Sequence, residues 1–447
     1  MASTRLQRTA GAPTLNTKYT ISVWCKRSEI TTGGIDAFIL DGYVDASNRF
    51  KLAFSAADVI EFWNRHSGSY TFQYETNRVF RDTSGWYNIV GSVDTTNATP
   101  GDRVKLYING VRQTSFSTST EPSVDEGNNT VNESGATISI GDYQGGGNGY
   151  SGSMSHFYFI DGTAYDASTF GSTNSATGQW EINTAPSVTY GNNGFFILKD
   201  SGSVTDESGN ANNFTVASGT LTNTEDCPSD VFATLNSVAN TQTATELTNG
   251  ATTHTDTGGS WLGAYTTLGA FTGKFYAEGK ITDRMNYSFG VIQSGGDSVA
   301  NINTPNNNLI GKYSDGWGFN GNNGTTNKKY HDGSTTDPYG EVFADNDIFM
   351  IAVDVTGGKI YFGRNGTWFD SGDPAAGTNP AFTGETFTNS VHFASGMENG
   401  ALSWNFGNGY FGTTQIASEG TNASGIGKFE YDVPTGYTAL STKGLNE

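Results

Sequence analysis

The chain has 447 residues and a net charge of -20, with a pI near 4.5. That acidity argues against binding a phosphate backbone or an anionic membrane surface, and it leaves divalent-cation sites open. With 35% hydrophobic and 15% charged residues, 59 Gly, 28 Phe, 21 Tyr and 8 Trp, the composition fits short strands joined by turns around aromatic cores, and neither helices nor disorder.

In chain order, Thr20 to Lys26 alternates around Trp24 and reads as an early strand. Phe38 to Leu40, Phe50 to Phe54 and Val59 to Trp63 follow as short strands. Trp86 to Asp94 and Arg103 to Ile108 form a pair, and Thr137 to Gly141 and Met154 to Asp161 are later strands. A short helical turn is expected near Ala167 to Phe170, and Phe195 to Leu198 is the closing strand of a first domain. Turn signals about every ten residues mark a sandwich.

One strand-and-turn phrase occurs twice. Lys105-Leu106-Tyr107-Ile108-Asn109-Gly110 has its counterpart in Lys359-Ile360-Tyr361-Phe362-Gly363-Arg364-Asn365-Gly366. In both, Leu/Ile/Phe positions alternate with Lys and Tyr, and Asn-Gly suits the positive φ angles of a type I′ hairpin. The second copy is longer by two residues, an even shift that keeps every side chain on its face. Each phrase follows an apolar run ending in Val-Asp, at Asp94 and Asp354. The expected fold class is therefore all-β, with two tandem antiparallel β-sandwiches. The expected domains are residues 1–217, a Thr/Asn/Ala-rich linker at 218–260, a second sandwich at 261–411 and a tail at 412–447, where Phe429 and Tyr431 are placed in one more strand.

The opening Met-Ala-Ser-Thr-Arg-Leu-Gln-Arg has no apolar run, so no secretory signal is expected. No segment is apolar for long enough to insert into a membrane as a helix. Cys25 and Cys227 read as two free thiols of a protein made in a reducing cytoplasm.

Tyr19 to Arg27, Trp86 to Val90, Asp94 to Thr99, Arg103 to Gly110, Gly152-Ser153, Phe157 to Gly162 and Phe170-Gly171 resemble, in order, the laminin-G-like, concanavalin A-like jelly-roll domains of tailed-bacteriophage virion proteins. Gly273 to Glu278, Phe289 to Val291, Asp347 to Asp354, the second Asn-Gly hairpin and Trp404 to Gly407 resemble a SPRY domain. The resemblance implies a virion protein synthesised in the host bacterial cytoplasm: a tail fibre, spike or capsid appendage acting in host attachment, or a decoration or connector. Its partners would be a bacterial surface glycan or protein and other virion proteins, and it would be a homo-oligomer in the particle. Nucleic acid is not an expected partner.

Chemical motifs are sparse. Gly147-Asn148-Gly149-Tyr150-Ser151-Gly152 matches a dinucleotide fingerprint, but a strand follows where a helix is required, so it reads as a turn. No Glu-x-Asp-x-x-Glu run of a sandwich glucanase occurs, and carboxylates from distant strands are the remaining route to a polysaccharide-degrading enzyme. His66, His156, His254, His331 and His392 lack zinc spacing, and no Gly-x-Ser-x-Gly elbow is present. The expectation is a protein that is not an enzyme and requires no cofactor.

Calcium is the metal with candidate ligands, at Asp41 and Asp45 or in Asp200 to Asn210; the alternative is Asp and Asn capping their own turns. Tyr143, Tyr150, Asp315, Trp317 and Asn320 are the candidate carbohydrate-binding residues, rings for the apolar sugar face and amide or carboxylate for its hydroxyls. Trp63 and Trp368 also lie near polar stretches. For each aromatic residue the alternative is a place in the core. The Asn/Gly stretch at 321–327 reads as an exposed loop.

Overall fold

Both Asn-Gly pairs close hairpins. In the computed structural model, Asn109 and Gly110 have φ of 48° and 76°, and Asn365 and Gly366 have 47° and 82°. Those are the left-handed values that a type I′ turn demands. Leu106 and Ile108 enter one core, and Ile360 and Phe362 enter another. Tyr107 and Tyr361 face the opposite way, each into a covering layer. The structure describes residues 4–30, 34–199, 203–239, 245–305, 309–322 and 326–447. The chain divides into two units, Met1–Asn223 and Thr224–Glu447.

The first unit is a sandwich of two antiparallel sheets. One runs, edge to edge, Phe116–Thr120, Ser69–Val79, Val59–His66, Asn48–Phe54, Ala37–Asp45, Thr137–Ile140, Arg5–Thr9 and Thr215–Ser218. The other runs Phe195–Ile197, Gly152–Asp161, Lys18–Arg27, Tyr87–Asp94, Val104–Ile108 and Val111–Arg112. Alternate residues such as Phe50, Leu52, Ile60, Phe62, Ile21, Val23 and Ile89 fill the space between them. The first sheet includes Ser69–Val79, an eleven-residue strand absent from the sequence-based reading. The expected helical turn is a 3-10 turn at Ala167–Thr169.

The two outer faces of this sandwich differ. Phe170, Trp180 and Tyr190, from the segment after the Gly152–Asp161 strand, cover the second sheet over Val90, Tyr158 and Phe196. Trp180 donates to Asn88 Oδ1 at 3.0 Å and lies against Gly110, where a Cβ would stand 2.3 Å from the ring. Glycine is therefore required there for space as well as for φ. The outer face of the first sheet keeps half-exposed aromatic and charged side chains.

The second unit is also a sandwich. Its larger sheet carries Thr245–Thr248, Thr253–Asp256, Gly400–Asn405, Lys274–Asp283, Ile348–Asp354, Lys359–Arg364 and Thr367–Trp368 in that order. Facing it are Leu262–Tyr265, Val391–Glu398, Asn286–Gln293, Gly316–Asn322, Thr326–His331 and Ser334–Thr336. Phe289, Phe319, Phe349, Phe362 and Trp404 lie between the sheets.

Two expectations are corrected. Much of the expected 218–260 linker is folded, residues 240–244 lying outside the described residues: Phe232, Ala233 and Leu235 are buried, and Thr245–Thr248 and Thr253–Asp256 form a hairpin paired to Gly400–Asn405. The expected tail is a cover. Phe429, Val433 and Tyr437 pack on Tyr276, Met350 and Tyr361, and neither Phe429 nor Tyr431 lies in a strand. The buried Glu278 carboxylate pins that cover, accepting from the backbone N–H of Glu430 at 2.9 Å and Tyr431 at 2.8 Å, and from the Tyr276 hydroxyl at 2.8 Å.

Candidate functional site

A continuous row of rings and cations runs across the outer face of the larger sheet of the first unit. Arg49 lies over Tyr143 at 5.2 Å and over Phe38 and Tyr43 at 5.7 Å each. Lys51 lies over Phe38 at 5.1 Å and over Trp63 at 5.9 Å. Trp63 meets Tyr70 edge-on at 5.5 Å, and Arg65 lies over Tyr70 at 5.9 Å. Strand periodicity places them together. In Asn48–Phe54 and Val59–His66, Phe50, Leu52, Ile60 and Phe62 take the core side, so Arg49, Lys51, Glu61 and Trp63 take the other. Register then sets Lys51 opposite both Trp63 and Asp41.

Acidic groups complete the row. Lys51 Nζ stands 2.5 Å from both Asp36 Oδ2 and Glu61 Oε2. The Trp63 indole donates to Glu61 Oε2 at 3.3 Å. Tyr70 is 44% exposed, and Trp63, Tyr43, Tyr143 and Glu61 are half-buried, so these residues are accessible, whereas Phe38 and Lys51 between them are buried. The row offers donors, acceptors and aromatic faces within one surface. That combination can take a ligand with an apolar face and many hydroxyls.

Of the residues expected from sequence, Tyr143 belongs to this row. Tyr150 does not. Its ring stacks on Phe54 at 6.3 Å, and its buried hydroxyl is held well above the ordinary phenol range by burial and by neighbouring Cys25. Burial likewise pushes the Cys25 thiol up to about 12.

The other three lie in the second unit: Asp315 and Trp317 have structural roles, and the buried Asn320 amide has no hydrogen-bond partner among the described residues. Asp315 accepts from Ser298 N at 3.0 Å and Ser298 Oγ at 2.7 Å, clamping the short helix Asp297–Ala300. Trp317 is in the core, stacked on His331 at 4.8 Å. Asn320, on the opposite side of the same strand, is 3% exposed. The candidate carbohydrate-binding set is thus divided between the two units, with Trp317 in a core and Tyr150 packed against one. Of the loop expected at 321–327, residues 323–325 lie outside the described residues, and Gly316–Asn322 and Thr326–His331 are strands.

The calcium ligands expected at Asp41 and Asp45 do not fit a cation. Asp41 is fully buried, pairs with Arg49 at 3.0 Å and accepts the Gln144 N–H at 2.9 Å. Burial raises its pKa despite Arg49. Asp45 caps a turn, accepting from Asn48 Nδ2 at 2.9 and 3.0 Å, Ser47 N at 2.7 Å and Asn48 N at 3.0 Å, and these bonds, the Asn48 side chain foremost, lower its pKa. Asp206 also serves its own loop, accepting from Phe196 N, Ser208 N and Asn212 N at 2.8 to 2.9 Å. Residues 200–202 of that stretch lie outside the described residues. Among the described residues, no group of three His, Cys, Asp or Glu has metal-binding geometry.

Sequence reasoning missed Arg49, Lys51, Asp36 and Glu61. The signal was present in the strands themselves: charges at 49, 51 and 61 alternate with apolar core residues.

Residues 3–168 match the laminin-G-like family described as the concanavalin A-like lectin/glucanases superfamily. No curated protein matches the chain. Solved structures similar to part of it include the PSpry domain of TRIM65 (14% identity, TM-score 0.29, 39% of this chain and 91% of that one). Others are the SPRY domain of human HERC1 (15%, 0.27, 36% and 91%) and a heptameric SAP-like pentraxin from Limulus polyphemus (16%, 0.27, 37% and 72%). No helix among the described residues is long and apolar enough to cross a membrane. Residues 3–168, within the first unit, are thus similar to the concanavalin A-like, laminin-G-like family.

Proposed function

We propose that the chain is a non-enzymatic adhesion protein of a tailed-phage virion, and that the open sheet face of its first unit binds a bacterial surface glycan. The observation that carries this reading is the row from Tyr143 through Arg49, Phe38, Lys51 and Trp63 to Tyr70 and Arg65. A pyranose ring stacks its C–H face on Trp63 or Tyr70, and its hydroxyls meet Glu61, Asp36 and Arg65. The virion setting, as tail fibre, spike or capsid appendage, rests on the resemblance of the two sandwich sequences.

The absence of catalysis is part of the proposal. Two carboxylates on this face, Asp36 and Glu61, share the Lys51 ammonium. A glycosidase needs its pair roughly 5–9 Å apart with sugar or water between them. Here the ammonium fills that space. The face is shallow, so each contact is weak, and repetition in an assembled particle multiplies it.

The test is binding of the purified full-length chain to a bacterial glycan array and to host envelopes, with Trp63→Ala and Tyr70→Ala beside the parent. Binding that both variants weaken supports the proposal. Unchanged binding by both, or release of reducing sugar, sinks it.

A further inference from the structure

A cleft of about 690 Å³ opens on the second unit between the Asn-Gly hairpin and the C-terminal cover. That is the size of a small-ligand or side-chain pocket. Trp368 and Tyr431 line it, and Tyr431 sits against Gly366, where a Cβ would stand 3.0 Å from its ring. Four carboxylates line it as well: Asp373, Glu419, Glu430 and Asp432. No Lys, Arg, His, Asn or Gln is among the lining residues.

The hydrogen-bond inventory of the cleft is one-sided. Asp373 Oδ1 accepts from Ala376 N at 2.9 Å, Glu430 Oε2 from Ala417 N at 2.7 Å, and Asp432 Oδ1 from Thr421 N and Oγ1 at 2.6 and 2.8 Å. Each bond engages one carboxylate oxygen. The second oxygen of each takes no hydrogen bond from a described residue. Of the lining hydroxyls, that of Thr421 already donates to Asp432. Next to Trp368, at 6.3 Å between rings, Tyr361 is 1% exposed and its hydroxyl has no partner among the described residues.

A sugar presents lone pairs as well as hydroxyl hydrogens and needs donors from its site. Ammonium and guanidinium groups present donors only, three and five N–H respectively, and accept nothing. Acceptor-rich walls beside two aromatic rings therefore match a cation, through charge-assisted hydrogen bonds and cation–π attraction. Guanidinium suits the rings best because it is planar and weakly hydrated.

We infer that the cleft lined by Trp368, Tyr431 and the four carboxylates is a docking site for an arginine- or lysine-bearing segment of a partner polypeptide. This goes beyond glycan binding: it gives the second unit a protein partner, and its residues are separate from the open face of the first.

The test uses the full-length chain, a hexa-arginine peptide, a hexa-glutamine control and a glucosamine trimer, at physiological salt with tryptophan fluorescence and calorimetry. The expected result is saturable one-site hexa-arginine binding, weakened at least tenfold by Trp368→Leu. Asp432→Asn and Glu419→Gln, both at exposed positions, weaken it several-fold each if the Trp368 variant fails to fold. Asp125→Asn, an exposed charge in the first unit, leaves it unchanged. Equal weakening by Asp125→Asn would show only general attraction to an acidic chain and overturn the inference. So would no binding, or tighter binding of the glucosamine trimer. Trp63→Ala separates the two readings, because it leaves hexa-arginine binding intact whether or not it affects glycan binding.

Discussion

Asn109 and Asn365 make the same hydrogen bond in two separate units. Asn109 Oδ1 accepts the N–H of Asn88 at 2.7 Å, and Asn365 Oδ1 accepts the N–H of Ile348 at 2.8 Å. Each also donates its own N–H to the carbonyl of that same residue, at 2.9 Å in both cases. Each asparagine thus holds the left-handed turn and ties it to the start of the preceding strand. Asn365→Ala loses the hydrogen bond and places an ordinary L-residue in the left-handed region, at a combined cost of about 2 kcal/mol. Asn365→Gly keeps the backbone freedom and loses less than about 1 kcal/mol net. Chemical denaturation of the second unit checks the order parent, Gly, Ala, and the first unit gives the same order at Asn109.

Glu278 and His254 oppose each other in the pH dependence of the second unit. Burial lifts the Glu278 carboxyl from 4.5 to about 7, partly offset by the Glu430 and Tyr431 amides and the Tyr276 hydroxyl. Its folded pKa is above its unfolded value, so the folded state holds the extra proton. Its stabilisation is complete below about 4.5 and is lost as pH rises through about 7.

Burial drops His254 from 6.5 to about 3. The unfolded state then binds the extra proton, so this stabilisation is complete above 6.5 and is lost as pH falls toward 3. Each slope is about 1.4 kcal/mol per pH unit where one proton separates the states. The expected result is a nearly flat urea midpoint for the parent between pH 5 and 6.5. Glu278→Gln gives a midpoint that rises with pH in this window, and His254→Asn gives one that falls. Parallel curves for the two variants would contradict the assignment.

The strands with an apolar stripe were legible in the sequence because alternation is a local signal. Lys18–Arg27, Asn48–Phe54 and Ile348–Asp354 contain the expected segments. Ser69–Val79 was overlooked because Gln73, Glu75 and Asn77 alternate with its buried Phe72, Tyr74 and Thr76 and make the segment look polar. The stretch at 218–260 hid its structure for a different reason. Its strand Thr253–Asp256 buries His254 instead of an aliphatic residue and pairs with Gly400–Asn405, some 150 residues away.

Phe429, Val433 and Tyr437 are spaced by four, as one face of a strand would be, but Pro434 and Gly436 between them interrupt a strand, and the segment forms an irregular cover. The metal reading of Asp41 and Asp45 was misled by composition. Carboxylates near glycine can bind an ion or hold their own chain, and here backbone N–H groups and Arg49 occupy them.

Arg27 and Asp58 form a buried pair in the first unit. Their side chains are 1% and 4% exposed, 2.8 Å apart, and Arg27 lies over the Phe54 ring at 4.6 Å. Asp58 has φ of 61°, a conformation asparagine also tolerates. Asp58→Asn therefore leaves the backbone undisturbed and strips the charge facing Arg27, at a cost of about 3–5 kcal/mol. Adding Arg27→Met removes the stranded cation and recovers part of that loss. A thermal melt of the first unit showing the double variant less stable than Asp58→Asn would mean that the pair is not the dominant interaction of either residue.

Trp63 separates binding from folding. Its ring lies on the outer face, half-buried, while Phe62 beside it on the same strand is fully buried and stacked edge-on with Phe50 and Phe72. Phe62→Ala empties core volume and costs about 3–5 kcal/mol. Trp63→Ala removes ring area from a surface that stays wet, so its effect on stability is within about 1 kcal/mol. Its effect on glycan binding is expected to be large, because a stacking ring on a shallow face supplies much of the apolar contact. Lys51→Met is the companion variant. It removes the cation between Asp36 and Glu61, leaves those two carboxylates to repel each other, and lowers glycan affinity without removing a ring. A Trp63→Ala melting curve that stays near the parent, together with its lost array signal, places the recognition surface on this face; Lys51→Met, at a 4% exposed position between two carboxylates, is expected to lower stability as well. Loss of signal by Trp63→Ala only in step with loss of fold returns Trp63 to a purely structural role.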